Sequence, residues 1–212
     1  MKPRTAQRQR ETGVDVESGR RTVQIMSRAR RWQRVHRVTS QSSSLLAMVQ
    51  AEDQKTLEYI EEHFGTDEAL GVFFRGERGE RYSLEESESM FARLGDKCPD
   101  MYSVFPDETS AITCTNYAVQ VARKLKGRTR IFGFANTDNP ASRVAREEIH
   151  PGGHDFAVVD DRYLVDPWIR LVACASQQMC FDLQDSKDAA LALDIYGSRA
   201  CWRHMVEAEA NV

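Results

Sequence analysis

The sequence has no apolar run long enough to span a membrane. Its opening residues, MKPRTAQRQRETG, are polar and basic, with no apolar stretch behind them. We therefore expect neither a transmembrane segment nor a Sec-type signal peptide. With 41% hydrophobic and 29% charged residues in 212, the composition is that of a single globular domain, with room for a tail.

The cysteines form no pattern that would cross-link the chain or bind zinc. They are five in number, which is odd, and no CxxC pair occurs among them. This excludes a disulfide framework and a structural zinc site of the common types. A cluster of Cys174, Cys180 and His204 matches no common ligand spacing, so we expect no metal and no cofactor. The cysteines are Cys98, Cys114, Cys174, Cys180 and Cys201.

Residues 1–44 differ in charge from the rest of the chain. Residues 1–38 contain eleven Lys or Arg and three Asp or Glu, a net charge of +8, so the remainder carries −11 of the overall −3. Residues 1–44 are predicted to be a mobile basic leader and residues 45–212 one folded domain. A basic amphipathic island at residues 22–38 would suit an acidic membrane surface, a carrier protein such as a secretion chaperone, or an RNA, although no specific nucleic acid is expected. The more common alternative for such a segment is a solvated leader.

The first half of the domain is predicted to be helical. Apolar residues at helical spacing run from Leu45 to Phe64 and stop at Gly65, as in a helix with a glycine C-cap. A second helix should begin after Ser83, which forms a capping-box pattern with Glu86, and end at Gly95.

After Gly127 the apolar residues recur at shorter intervals, which predicts strands. RTRIFGF favours one strand, and HDFAVVDDRYLVDPW favours two short strands around an acidic turn. The last forty residues, with SKDAALALDIYG as the clearest element, are predicted to be helices packed on the outside of that sheet. The fold class expected is α+β.

One cysteine begins a predicted helix. In CTNYAVQVARKLKG, Cys114 starts an apolar stripe with helical spacing that continues to Leu125, with Thr113 or Ser110 as the cap and Gly127 as the stop. A thiolate at the first turn would meet unpaired backbone N–H groups and the positive end of the helix dipole. Cys114 is therefore a candidate nucleophile.

An activated thiol needs a base, and the base needs a group that orients it. His154 begins a predicted strand and Asp166 ends the next one, before a tryptophan that would shield the pair from water. The two side chains share a face if the hairpin loop has an odd number of residues, such as Val159 to Asp161 with Val158 opposite Arg162. A two-residue turn would separate them.

Each of these residues also has a common structural role. A lone cysteine on an apolar helix face usually belongs to the core, a strand-entry histidine is usually structural, and Asp-Pro usually marks a turn. Their order along the chain is more informative than any one of them. The rival base is His150, and the rival orienting residues are Asp155, Asp160 and Asp161.

The segment from Thr113 to Trp168, about a quarter of the chain, resembles the papain-like and transglutaminase-like thiol enzymes. CTNYAVQVARKLKG is similar to their nucleophile helix, and GHDFAVVDDRYLVDPW to their His and Asp strands. The short Cys-to-His separation and the YLVDPW ending are most similar to the papain-like glutamine-deamidase domain of dermonecrotic and mitogenic bacterial toxins and related secreted effectors.

That resemblance implies a papain-like core, in which a nucleophile helix packs on an antiparallel sheet with extra flanking helices. It implies that Cys114 is the nucleophile, His154 the general base and then acid, and Asp166 the orienting carboxylate. The substrate would be a glutamine side chain of a host protein. One feature departs from papain-type proteases, because no glutamine precedes Cys114 to donate to the oxyanion.

The resemblance also implies export without a Sec signal and action in the host cytosol, with residues 1–44 as the secretion leader; the alternative is the bacterial cytoplasm. A cysteine protease or a transglutaminase would use the same three residues. A third hypothesis is a binding module in which the leader docks a partner and the Cys, His and Asp residues are structural.

Overall fold

A computed structural model of the chain describes residues 48–210 and 212. The leader assigned to residues 1–44, and the predicted start of the first helix at Leu45, lie outside these residues. Residues 50–212 form one compact unit. The division of the domain from its leader at residue 44 therefore stays a prediction.

Two of the predicted helices have an end where the capping residues in the sequence predict it. Helix α1 occupies residues 48–64 and stops before Gly65. Helix α3 (Leu84–Leu94) begins with the predicted capping box: the Ser83 hydroxyl accepts from the Glu86 N–H at 3.1 Å, and the Glu86 carboxylate accepts from the Ser83 N–H at 2.7 Å. A short helix α2 (Asp67–Leu70) lies between them.

The strands on either side of α3 form a small sheet. Strands β1 (Phe73–Gly76) and β2 (Arg81–Tyr82) form a hairpin, and β3 (Met101–Val104) pairs with the other edge of β1. The strand order is β2-β1-β3, and both pairings are antiparallel.

A five-stranded antiparallel sheet forms the second half. Its order is β7-β6-β5-β4-β8, so the strands that the sequence predicts occupy its centre. This arrangement confirms the α+β class. The strands are β4 (Thr129–Ala135), β5 (Gly153–Val159), β6 (Tyr163–Val165), β7 (Cys180–Asp182) and β8 (Arg203–His204).

The two edge strands correct the prediction of a helical C-terminal region. Strands β7 and β8 have three and two residues, too few to show an alternating apolar pattern. The helical part of the prediction holds for α7 (Ser186–Tyr196), which packs against β7. A 3₁₀ turn also lies there, at Arg199–Cys201.

Helix α4 (Cys114–Lys124) packs against β5 and β4 through the face that the sequence predicts. It ends at Lys124, with Leu125 as its C-cap, and Gly127 takes a positive φ of 79° in the turn that follows. Every member of the predicted stripe is buried: Cys114, Tyr117, Ala118, Val121, Ala122 and Leu125.

Three short helices complete the unit: α5 (Arg143–Arg146), α6 (Pro167–Leu171) and α8 (Val206–Glu209). Helix α5 packs against α7, α6 packs against α4, and α8 contacts both α4 and β4. Among the described residues, no helix combines the length and the apolar character needed to cross a bilayer.

The β5-β6 hairpin has an odd loop, but its register differs by one pair from the suggested one. Val159 lies opposite Tyr163 and Val158 opposite Leu164, so the loop is residues 160–162 instead of residues 159–161. Asp160 and Asp161 both adopt a positive φ, and the Arg162 N–H donates to the Val159 carbonyl at 3.0 Å. The parity is unchanged, so His154 and Asp166 still share a face.

Candidate functional site

The sheet and helix α4 place Cys114 at the start of the helix, in the wall of a pocket. Cys114 is the first residue of α4 and is 4% exposed. Thr113 is the N-cap residue, but its side chain makes no capping hydrogen bond within residues 48–210 and 212. The other predicted cap, Ser110, accepts through its backbone carbonyl from the Asn116 side chain at 2.7 Å. The first-turn N–H groups are therefore not capped by either hydroxyl.

His154 is buried on β5 and is bonded to Asp166. Its Nε2 lies 2.6 Å from the Asp166 Oδ2, with both side chains essentially inaccessible to solvent. Because a carboxylate only accepts, Nε2 carries the hydrogen, and in the neutral ring Nδ1 has a lone pair. Within the described part of the chain, Nδ1 has no partner that meets hydrogen-bond geometry.

Asp166 is held in place by its position at the start of α6. It is the N-cap residue of that helix, and its Oδ1 accepts from the Ile169 N–H at 3.2 Å. Pro167 follows at the first helical position, where its missing N–H has no cost. The Asp-Pro dipeptide is therefore both a helix start and the support of the carboxylate that faces His154.

The surroundings of His154 favour its charged form. Burial by itself lowers the pKa of the imidazole, but the Asp166 carboxylate and the nearby Cys114 sulfur outweigh it and raise the pKa from 6.5 to about 10. Cys114 thus contributes electrostatically although the sulfur is not in a formed hydrogen bond with Nδ1. The Asp166 carboxylate at 2.6 Å is thus placed to stabilise an imidazolium at His154.

This pKa shift predicts a pH-dependent stability. A histidine whose pKa is raised on folding contributes stability that is complete below pH 6.5 and is lost as the pH rises toward 10. The free energy of unfolding, measured with urea across this range, should fall more steeply with pH in the wild type than in His154→Gln. Parallel curves for the two proteins would contradict the shift.

Tyr196 is a site residue that the sequence did not indicate. Its hydroxyl donates to the Asp166 Oδ2 at 2.9 Å, and its ring stacks on His154 with centroids 5.8 Å apart and an interplanar angle of 20°. Burial, together with Asp166, raises the pKa of this phenol well above its ordinary value, so the hydroxyl keeps its proton. The Tyr196 carbonyl accepts from Asn139 at 2.7 Å and from Trp202 at 3.0 Å, which fixes the end of α7.

Replacing Tyr196 with phenylalanine is expected to lower the free energy of unfolding by about 1.5–3 kcal/mol, because a buried hydrogen bond to a carboxylate is lost. Urea unfolding followed by tryptophan fluorescence measures this change. The matched control is Tyr102→Phe, since Tyr102 is 49% exposed, and it should change stability by less than about 0.5 kcal/mol. Equal losses in the two variants would show that the Tyr196 hydroxyl makes no special contribution.

Trp168 lies where the sequence suggests a shield for the His–Asp pair. The indole is 4% exposed, and its centroid is 5.0 Å from that of the His154 ring. Its Nε1 donates to the Ile112 carbonyl at 2.7 Å. The same residue therefore covers the imidazole and ties α6 to the segment that precedes Cys114.

The pocket beside Cys114 has a volume of about 360 Å³, and three of its lining residues are glycines, Gly133, Gly152 and Gly153. A side chain at Gly133 would place its Cβ 2.0 Å from the Asp155 Oδ1, and one at Gly153 would lie 2.3 Å from the Phe134 carbonyl. A side chain at Gly153 would therefore collide with the backbone of the neighbouring strand, and one at Gly133 would displace the Asp155 carboxylate. The remaining lining residues include Thr115, Ala135, His150, His154, Arg203 and Met205.

The rival residues have other partners. Asp155 accepts from the Thr115 hydroxyl at 2.5 Å. Asp160 pairs with Arg128, and Asp161 pairs with Arg130. The Nδ1 of His150 bonds to a backbone carbonyl. Of the candidate pairs, His154 and Asp166 are the two that the structure brings into direct contact beside Cys114.

The residues considered for a metal cluster are not brought together. Cys180 lies on β7 and His204 on β8, at opposite edges of the sheet, and Cys174 is exposed. In residues 48–210 and 212, no group of three His, Cys, Asp or Glu side chains has an arrangement that could hold a metal ion.

Comparisons of the chain with protein-family models, with curated proteins and with solved structures found no match. No family is therefore shown by these comparisons. The function proposed below is inferred from the geometry of the site and from the order of its residues along the chain.

Proposed function

We propose that the chain is a cysteine-dependent amidohydrolase that converts a protein glutamine to glutamate. The observation that carries this proposal is the position of Cys114 at the start of a helix, beside a buried histidine that a carboxylate holds at 2.6 Å. A nucleophile, a base and an orienting group in this relation are the parts that covalent hydrolysis of an amide requires.

The first step is attack by the Cys114 sulfur on the carbon of the carboxamide. His154 takes the proton of the Cys114 thiol, and the raised pKa of this histidine favours the imidazolium that results. The C–S bond forms as the carbonyl becomes an oxyanion. The Cys114 backbone N–H, in the first turn of α4, would donate to that oxyanion.

The second step releases ammonia. The His154 imidazolium gives its proton to the departing nitrogen as the C–N bond breaks, which leaves a thioester on Cys114 and a neutral imidazole. His154 then takes a proton from water, whose oxygen attacks the thioester. The C–S bond breaks, and glutamate and the thiolate are released. The sum is glutamine plus water to glutamate plus ammonia.

Each of the three residues has one assignment in this mechanism. Cys114 is the nucleophile, Asp166 orients His154 and stabilises its charged form, and His154 is the general base for the thiol, then the acid for ammonia, then the base for water. In the thiol enzymes that the segment resembles, a nucleophile helix packs on an antiparallel sheet. Helix α4 packs in this way on β4 and β5, which supports a papain-like core for this chain.

The wider biological proposal follows from the same resemblance. The substrate is a host protein, the chain acts as a secreted effector in the host cytosol, and residues 1–44 are its leader. That leader lies outside the described residues. Deleting residues 1–44 should prevent export from the producing bacterium while leaving activity in a lysate intact; export of the truncated chain would contradict the assignment of the leader.

The experiment that tests the proposed function is peptide mapping of a eukaryotic lysate incubated with the reduced protein or with His154→Ala. The expected result is conversion of glutamine to glutamate at a specific site, with ammonia release, only in the wild-type sample. New N-termini without ammonia would identify a protease instead, and incorporation of an added amine would identify a transglutaminase. Identical maps for the two proteins would refute enzymatic function at this site.

A further inference from the structure

His150 has no part in the mechanism above, although it lines the same pocket as Cys114. It lies in the connection between α5 and β5. The sequence offers it as a rival base, but its ring contacts no carboxylate within the described part of the chain; its ring partners there are a backbone carbonyl and the Trp168 indole. Its position beside the nucleophile therefore needs another explanation.

One ring nitrogen of His150 is committed to the protein. Its Nδ1 lies 2.7 Å from the Gly153 carbonyl, and because a carbonyl only accepts, Nδ1 carries a hydrogen. In the neutral imidazole this leaves Nε2 with a lone pair and no hydrogen. Across residues 48–210 and 212, Nε2 has no hydrogen-bond partner, so the ring offers one unused acceptor to the pocket that it lines.

The backbone around His150 is tied to the end of β4. The Asn136 side chain donates to the His150 carbonyl at 2.9 Å, and the Asn136 N–H donates to the Gly152 carbonyl at 3.0 Å. The ring also packs edge-on against Trp168, with centroids 5.3 Å apart and an interplanar angle of 78°. The acceptor is therefore held in one orientation before any substrate binds.

We propose that His150 is a specificity-determining residue whose Nε2 accepts a hydrogen bond from the N–H of the substrate carboxamide. This proposal rests on the proposed function and adds that the substrate is recognised through an amide N–H, which an ester lacks. An ester attacked by Cys114 would undergo the same acyl transfer but has no N–H to offer. A site that hydrogen-bonds a substrate N–H discriminates against an analogue without it, because the acceptor, enclosed by the bound analogue, is then unpaired.

The experiment compares two probes and two variants. The probes are a blocked glutaminyl-glycine dipeptide and the same dipeptide with the γ-methyl ester of glutamate in place of glutamine. In His150→Asn, the side-chain amide can replace Nδ1 as the donor to Gly153, but nothing replaces Nε2. In His150→Gln, the side-chain amide reaches the Nε2 position and can present an oxygen there as an acceptor.

For His150→Asn we expect kcat/KM to fall by about tenfold or more on the amide and to change less than about twofold on the ester. His150→Gln should retain more amide hydrolysis than His150→Asn. An amide-to-ester ratio equal to that of the wild type would overturn the proposal. If both rates fall equally, His150 only supports the fold.

The controls separate this proposal from the one on which it depends. His154→Ala should abolish hydrolysis of both probes, since the base is needed for either. If neither probe is hydrolysed in a Cys114-dependent reaction, the proposed function fails and the assignment of His150 fails with it. If both probes are hydrolysed through Cys114 but His150→Asn has the same amide-to-ester rate ratio as the wild type, only the assignment of His150 fails.

Discussion

Replacing Cys114 with alanine is expected to lower the rate of glutamine deamidation by a factor on the order of 10⁶, because no other group can form the thioester. The rate would be measured as ammonia released from the target protein that peptide mapping identifies. The matched control is Cys174→Ala. Cys174 is exposed and lies outside the pocket, so its removal should leave the rate unchanged.

The Cys114→Ala variant should remain folded. The side chain is small, and its replacement by alanine removes only one sulfur atom from a site that opens into a pocket. A cooperative urea transition like that of the wild type would show that lost activity is not lost structure. Full activity in a folded Cys114→Ala variant would make Cys114 a core residue, the role that cysteines on apolar helix faces most often have.

Replacing Asp166 with asparagine is expected to lower the rate by about 10⁴-fold through the tautomer of His154. The asparagine oxygen can still accept from the Ile169 N–H and preserve the start of α6. Its amide N–H₂ would then face Nε2 and donate to it, which places the imidazole hydrogen on Nδ1. In that tautomer the neutral imidazole cannot take a proton from the thiol or from water.

The matched control for this change is Asp161→Asn. Asp161 lies in the hairpin loop, is 64% exposed and pairs with Arg130, so the substitution removes a carboxylate far more accessible to solvent than Asp166. Its deamidation rate should equal that of the wild type. A rate for Asp166→Asn within tenfold of the wild type, with the fold intact, would exclude Asp166 from the orienting role.

Local patterns in the sequence predict much of the fold because they depend on neighbouring residues. The Ser83 and Glu86 capping box and the buried stripe of α4 are set by contacts within one or two helical turns. The shared face of His154 and Asp166 follows from strand parity alone, so it holds although the register of the hairpin differs by one pair.

The register itself could not be read from composition. Asp160 and Asp161 both have positive φ, and two consecutive aspartates allow either a two-residue or a three-residue turn. The observed loop pairs all three residues of β6 with β5 and places Arg162 against Asp53 and Asp182. Those two carboxylates lie far from Arg162 in sequence, on α1 and β7.

Tyr196 was missed for the same physical reason. It contacts Asp166 from thirty positions further along the chain, and no local periodicity indicates which side of α7 will meet the His–Asp pair. Strands β7 and β8 were missed because strands of three and two residues have no detectable alternation. The order of Cys114, His154 and Asp166 was detectable because a known class of enzymes has the same order.

The most direct test of the account is the selectivity of the five cysteines toward iodoacetamide at pH 6, with a limiting amount of reagent and peptide mapping of the product. Exposure alone predicts that Cys174 reacts first, since it is exposed and Cys114 is 4% exposed. If His154 holds a thiolate at Cys114, the label should instead appear mainly on Cys114 in the wild type. In His154→Ala, Cys114 should no longer be the main site of labelling. Labelling of Cys174 with Cys114 unmodified would contradict an activated nucleophile at this site.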